Sequence, residues 1–178
     1  MVIDDPRNAG PGQATFTFFY LHPELGPDFI KALARQELAV FRDYRQELDG
    51  IAKGKFLILI GTSDIIAEER MKQGLPIAIL DPRQLAEKSD VSPGSGAVGA
   101  LNRPRHPNAA RAYLNWLLSK EGQALFSRTL GYISARLDVP TDHSPWRVPI
   151  PGAIKTYTQE AIDIKDNLLN LLREIFGR

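Results

Sequence analysis

Apolar positions in this chain come in short clusters whose period changes along the sequence. Residues 1–13 lead with turn formers (Asp4, Asp5, Pro6, Asn8, Gly10, Pro11, Gly12) and read as loop. The spacing predicts a helix over 13–21 and a second over 26–38. In the second, Pro27 suits the first turn and Ile30, Leu33, Ala34 and Leu38 share one face. "AVFRD" (39–43) is a short strand, and "YRQELDGIAKG" (44–54) a helix stopped by Gly54. "KFLILIG" (55–61) is an unbroken apolar run, which predicts a strand buried on both faces. A helix over 63–74 follows, with Ser63 or Asp64 as cap and Gly74 as stop, and then a strand in "LPIAILD" (75–81). Alternation of this kind predicts an α/β class protein with partly parallel strands.

Further along, "EKSDVSPGSG" (87–96) is a polar crossing and "AVGAL" (97–101) another predicted strand. Residues 106–131 predict a helix pair: Ala110, Leu114 and Leu117 form a stripe flanked by Tyr113 and Trp116. Ser119 is placed to cap the second helix and Gly131 to end it. A proline-rich extended segment (132–152) precedes a last helix from Thr158 to Phe176, with Ala161, Ile164, Leu168, Leu171 and Ile175 on one face.

Composition narrows the function more than the fold. With 178 residues, the chain suffices for one domain or two small lobes, and 43% hydrophobic residues can form an ordinary core. Basic and acidic residues number 22 and 21, without the basic excess that nucleic-acid binding requires. The absence of cysteine removes disulfides, thiol catalysis and thiolate metal sites. No apolar run approaches the roughly 20 residues of a membrane helix. "MVIDDPRN" has no basic start or apolar h-region, and reads like a cut made inside a longer protein.

Two stretches carry candidate chemistry. In "DPRNAGPGQATF" (5–16), Asn8, Gly10, Pro11, Gly12 and Gln13 precede or open a helix. Free N–H groups and the helix dipole there favour an anion, though an ordinary tight turn has the same composition. It is no nucleotide P-loop, since the Gly–Lys–Ser/Thr ending is missing. In "IGTSDII" (60–66), Thr62, Ser63 and Asp64 lie where a strand gives way to a helix, the usual ligand edge of an open α/β sheet. Ser63 and Asp64 are equally good helix caps. His22, His106 and His143 show no metal-ligand spacing and read as solvated; no metal or cofactor is expected. Ser63 and Asp64 with a histidine would make a hydrolase- or transferase-like set, but no nucleophile elbow surrounds Ser63, and Ser95 of "GSG" lies in a polar linker. "EER" (68–70) and "LNRPRH" (101–106) read as solvated surface, Tyr113 and Trp116 as core, and Trp146 as a loop residue able to reach a cleft.

"RPRHPNAARAYLNWLLSKEGQALFSR" followed by "GYISARLDVP" resembles the C-terminal half of the periplasmic solute-binding proteins of ABC importers, in the group of ferric-ion, thiamine, polyamine and phosphonate binders. "KGKFLILIG" with "GLPIAILDP" and the opening "DPRNAGPG" are similar to earlier elements of the same half, so the resemblance covers most of residues 5–140. It implies a type II periplasmic-binding-protein-like lobe built as a three-layer α/β/α sandwich, with a second lobe incomplete in this chain. Residues 1–82 would be the core of lobe two, 83–136 a crossing segment and part of lobe one, and 137–178 a return segment with the C-terminal helix. It further implies a non-catalytic protein, periplasmic or extracellular, that closes two lobes on a small anionic or organic solute or metal complex and docks on an ABC permease. Ligand contacts would fall on loop 8–13 and turn 62–64. Where ferric-ion binders place paired tyrosines, this chain has Ser63 and Asp64, so phenolate ligation of iron is not expected. With half of such a protein missing, the stripe in "AARAYLNWLL" would lack its cover, and a homodimer or swapped arrangement is expected.

Overall fold

The computed structural model describes residues 1–87, 90–91, 98–140, 145–147 and 151–177. The chain forms two compact units, residues 1–92 with 150–178, and residues 93–149.

In the first unit, β1 (Val2–Asp4) is the central strand of a parallel sheet, between β2 (Ala39–Phe41) and β3 (Leu59–Ile60), in the order β2-β1-β3. Ile3 faces Val40 on one side and Ile60 on the other. Residues 1–13 are therefore not loop throughout. Val2 and Ile3 are fully buried because strands flank them on both sides, while the Asp-Asp that follows makes the segment look like a turn. Two helices follow β1: α1 (Pro11–Leu21) and α2 (Gly26–Ala34). Between β2 and β3 runs α3 (Tyr44–Ala52), and after β3 comes α4 (Asp64–Lys72). Helices α1 and α2 connect β1 to β2, and α3 connects β2 across β1 to β3; the right-handed rule for parallel crossovers puts two connections running in opposite directions on opposite faces of the sheet.

The core lies on the α1/α2 face. Ile3, Phe16 and Ile30 meet Leu168 and Leu172 from the C-terminal helix, and Phe16 touches the edges of Phe19 and Phe176 at 5.5 and 6.1 Å. That helix is divided: α7 (Gln159–Asp163), capped by Thr158 Oγ1 accepting from Ala161 N–H, gives way at Ile164 to α8 (Lys165–Phe176). The predicted face holds: Leu168 and Ala161 are buried and Ile164, Leu171 and Ile175 pack against the core, while Leu172, one turn after Leu168 and outside the predicted set, shares the deepest burial. A short parallel pair, β4 (Asp90–Val91) with β5 (Ile154–Lys155), completes the described part of this unit.

Two predicted strands shrink or vanish. Of "KFLILIG" only Leu59 and Ile60 pair, and Leu57 stands 90% exposed, so this segment is not buried on both faces. β3 is an edge here: "LPIAILD", expected beside it, adopts no strand, and neither do residues 98–101. An apolar run forms a buried strand only where a neighbour supplies the ladder, and none does among the described residues.

The second unit contains α5 (Pro107–Leu117) and α6 (Lys120–Leu130). Ser119 Oγ accepts from Gly122 N–H, and Gly131 ends α6 in the left-handed region at φ 73°, both as expected. A side chain at residue 122 would meet the Trp116 carbonyl at 2.1 Å, which explains a glycine inside α6. Leu117 is buried, whereas Tyr113 and Trp116 are exposed with their rings 5.9 Å apart, so this pair is not core as read from spacing.

No helix among the described residues is long and apolar enough to cross a membrane.

Candidate functional site

Three loops gather at the carboxyl ends of the parallel strands, where ligands of open α/β sheets bind. From β1 the chain passes through Asp4, Asp5 and Arg7 to Gly10 and Gly12 at the head of α1. From β2 it passes through Arg42 to Tyr44, and from β3 through Gly61 to Ser63. The loops after β1 and β3 touch through their backbones. A Cβ on Gly61, which sits at φ 77°, would lie 2.9 Å from the Gly12 Cα. On Gly12 it would lie 2.4 Å from the Asp4 carbonyl oxygen. Only glycines permit this approach, and it joins two glycines 49 positions apart in sequence.

Of the expected contact residues, Gly10, Pro11, Gly12, Gln13, Thr62 and Ser63 are half-buried or buried at this junction, while Asn8 and Asp64 are exposed at its rim. One expectation needs correction. Gly12 N–H does not await an anion, because it donates to Asp4 Oδ2 at 2.8 Å and so holds the protein's own carboxylate. The Gln13 N–H has no partner among the described residues and remains the open donor of that turn. Ser63 occupies the N-cap of α4 with no side-chain capping bond, and Asp64 Oδ1 accepts from the next residue, Ile65 N–H. The hydroxyl of Ser63 is thus not committed to capping.

Beneath the loops lies a polar cluster that sequence reading missed. Glu47 is completely buried, and neither carboxyl oxygen has a hydrogen-bond partner among the described residues. Burial first, and then the charge of Asp4, push its carboxyl up to about 7; the neighbouring Thr62 hydroxyl works the other way without reaching hydrogen-bonding geometry. Asp4 is also raised by burial, with Gly12 N–H opposing, and Tyr44 by burial and then the charges of Asp4 and Glu47. The cluster can therefore gain or lose a proton near neutrality. Its sequence signal is present in "YRQEL": Tyr44, Glu47 and Leu48 share one helical face, which places a glutamate at a core position.

On the α8 side the chemistry reverses in sign. Asp5 is 1% exposed and accepts from Arg7 and Arg42. Burial would raise its pKa, but the bonds from the two guanidiniums outweigh burial and hold it at about 2.

No protein-family model matches this chain, and no curated protein or solved structure does either.

The histidines divide. His106 is exposed at the head of α5, as expected of a solvated residue. His22 is not solvated: it is 8% exposed, packs edge-on to Phe18, and accepts from Glu24 N–H through Nδ1. His143 and Ser95 lie outside the described residues. Trp146 sits in a short turn of the second unit with its indole nitrogen buried and unpartnered among the described residues. Residues 101–106 are largely exposed, as expected; in "EER" only Glu69 is, and Glu68 and Arg70 are half-buried.

Proposed function

We propose that this chain contributes one wall of a solute-binding cleft and belongs to a binding protein of an ABC importer, with a type II periplasmic-binding-protein-like lobe. Its action would be non-catalytic: two lobes close on a small organic or anionic solute or metal complex, and the closed form docks on the permease outside the cytoplasm. The observation that carries this reading is the backbone contact of Gly12 with Gly61, which unites loop 8–13 and turn 62–64 at the carboxyl edge of a parallel sheet. The uncommitted Gln13 N–H and Ser63 hydroxyl offer a donor and a donor–acceptor to a carboxylate-bearing solute. The hydrolase alternative finds no such support, since Ser63 makes no hydrogen bond to a histidine among the described residues.

A single wall binds weakly. Titrating acetate into isotopically labelled protein is expected to move the backbone amide signals of Gly12, Gln13, Thr62 and Ser63 together, with millimolar affinity and little heat in calorimetry. Shifts that leave these four signals in place, or a submicromolar affinity in this chain alone, would show the one-wall reading to be wrong.

The exposed pair Tyr113 and Trp116 in the second unit fits the expected self-association. Light scattering should show the mean mass rising toward a dimer with concentration, and Trp116→Ser should abolish the rise; a monomer at every concentration counts against it.

A further inference from the structure

A second recognition surface lies on the α8 side of the same sheet edge. Arg7, Arg42, Asn170 and Arg173 line a depression of about 530 Å³. Their sequence separation hides it: Arg7 follows β1, Arg42 follows β2, and the other two stand on one face of α8.

The hydrogen-bonding account of the three arginines is uneven. Arg7 is nearly spent. It donates from Nε and Nη2 to Asp5 and from Nη1 to the carbonyls of Phe176 and Gly177, at 2.8–3.0 Å. That arrangement neutralises Asp5 and caps the negative end of α8, so neither repels an incoming anion. Arg42 commits only its Nε, to Asp5, and is 69% exposed. Arg173 donates one Nη1 bond to Asn170 Oδ1 at 3.3 Å. Both nitrogens at the tip of Arg42, and Nε and Nη2 of Arg173, have no partner among the described residues. Three guanidiniums against one carboxylate leave two positive charges in one concave place. A planar fork of paired N–H groups matches the oxygens of a tetrahedral oxyanion better than a point charge would.

We propose that this groove binds a dianionic phosphoryl group, as inorganic phosphate or as the phosphomonoester of a small organic molecule, gripped by Arg42 and Arg173 with Arg7 as its fixed floor. The charge count selects a dianion over a single carboxylate, and the volume leaves room for an organic body beyond the phosphoryl group. This site is separate from the Gly12–Gly61 junction and does not depend on its reading.

The test is calorimetry, with NMR of the arginine Nε–H signals, while inorganic phosphate or glycerol phosphate is titrated at constant ionic strength set by sodium chloride. Saturable binding is expected, with the Arg42 and Arg173 signals moving together. Arg173→Gln, a change at an exposed position that leaves the core alone, should weaken it at least tenfold, whereas Arg128→Gln on α6 should leave it unchanged. Tighter binding of glycerol phosphate identifies a phosphomonoester as the ligand, and equal binding identifies phosphate; both support the groove. Phosphate acting no differently from chloride, or Arg173→Gln binding as well as the parent, overturns it. Because the junction is read from the Gln13 and Thr62 amides and the groove from arginine side chains, either can fail without the other.

Discussion

Asp5→Ala should destabilise the protein by about 2–3 kcal/mol, less than removing one partner of a fully buried ion pair because Arg42 is largely exposed. The cost arises from what is left behind. Arg7 loses its Nε and Nη2 acceptors while its Nη1 must still hold the carbonyls of Phe176 and Gly177, and Arg42 loses its anchor. Phe176 packs against Phe16, so a loosened end of α8 is felt in the core. Urea unfolding should show a lower midpoint with an unchanged slope, and hydrogen exchange should accelerate first in the last turn of α8. Asp5→Asn separates charge from shape. The folded carboxyl sits at about 2, below its ordinary 3.8, so its stabilisation is fully present above pH 3.8 and lost as pH falls through 2. That shift corresponds to about 2–3 kcal/mol. The stability gap between parent and Asp5→Asn should therefore be constant from pH 5 upward and close in strong acid. A loss below 1 kcal/mol for Asp5→Ala at pH 7 would show that the arginines find other partners and that the cluster is not what secures α8.

How much of this was legible beforehand follows from how local each determinant is. The helices were readable because their signals sit within a few residues: Pro27, Ser119, Gly131, and the apolar spacing of 106–131. The carboxyl-edge site was readable in outline for the same reason, since Gly10–Gly12 and Gly61–Ser63 are turn chemistry. What they hold was not. Whether Gly12 N–H meets a solute or Asp4 depends on which face of β1 the Asp4 side chain takes, and β1 itself was hidden behind its own Asp-Asp. Strand errors have the opposite origin. "KFLILIG" and "LPIAILD" have the composition of buried strands, but a strand exists only through its neighbour, and sequence composition does not name the neighbour. The arginine groove is the extreme case, assembled from residues up to 166 positions apart, which no spacing rule reaches.

Glu47→Gln should stabilise the protein at pH 8 and destabilise it by about 1 kcal/mol at pH 4, where the parent carboxyl is protonated and only the cost of the unpartnered amide is left. The parent carboxyl titrates at about 7 when folded and at its ordinary 4.5 when unfolded. Between those values the folded state holds a proton that the unfolded state has released. Stability therefore falls as pH rises through this window, by at most about 1.4 kcal/mol per pH unit. The whole penalty, about 3 kcal/mol, is reached above pH 7 and absent below 4.5. Glutamine keeps the shape and removes the titration, so its stability curve should be flat where the parent's slopes; its own unpartnered amide reduces the gain at pH 8 to about 2 kcal/mol. Parallel slopes for the two proteins from pH 4.5 to 7 would mean that Glu47 ionises at its ordinary value and that water or a cation reaches it. The sign matters for function as well as stability. A carboxyl held at such cost beside Asp4, which holds the Gly12 N–H, and beside Thr62 gives the site a charge that changes near neutral pH. Acetate affinity at the junction should accordingly rise as pH drops from 8 to 6 in the parent and stay level in Glu47→Gln, since protonating Glu47 removes a negative charge that opposes the anion.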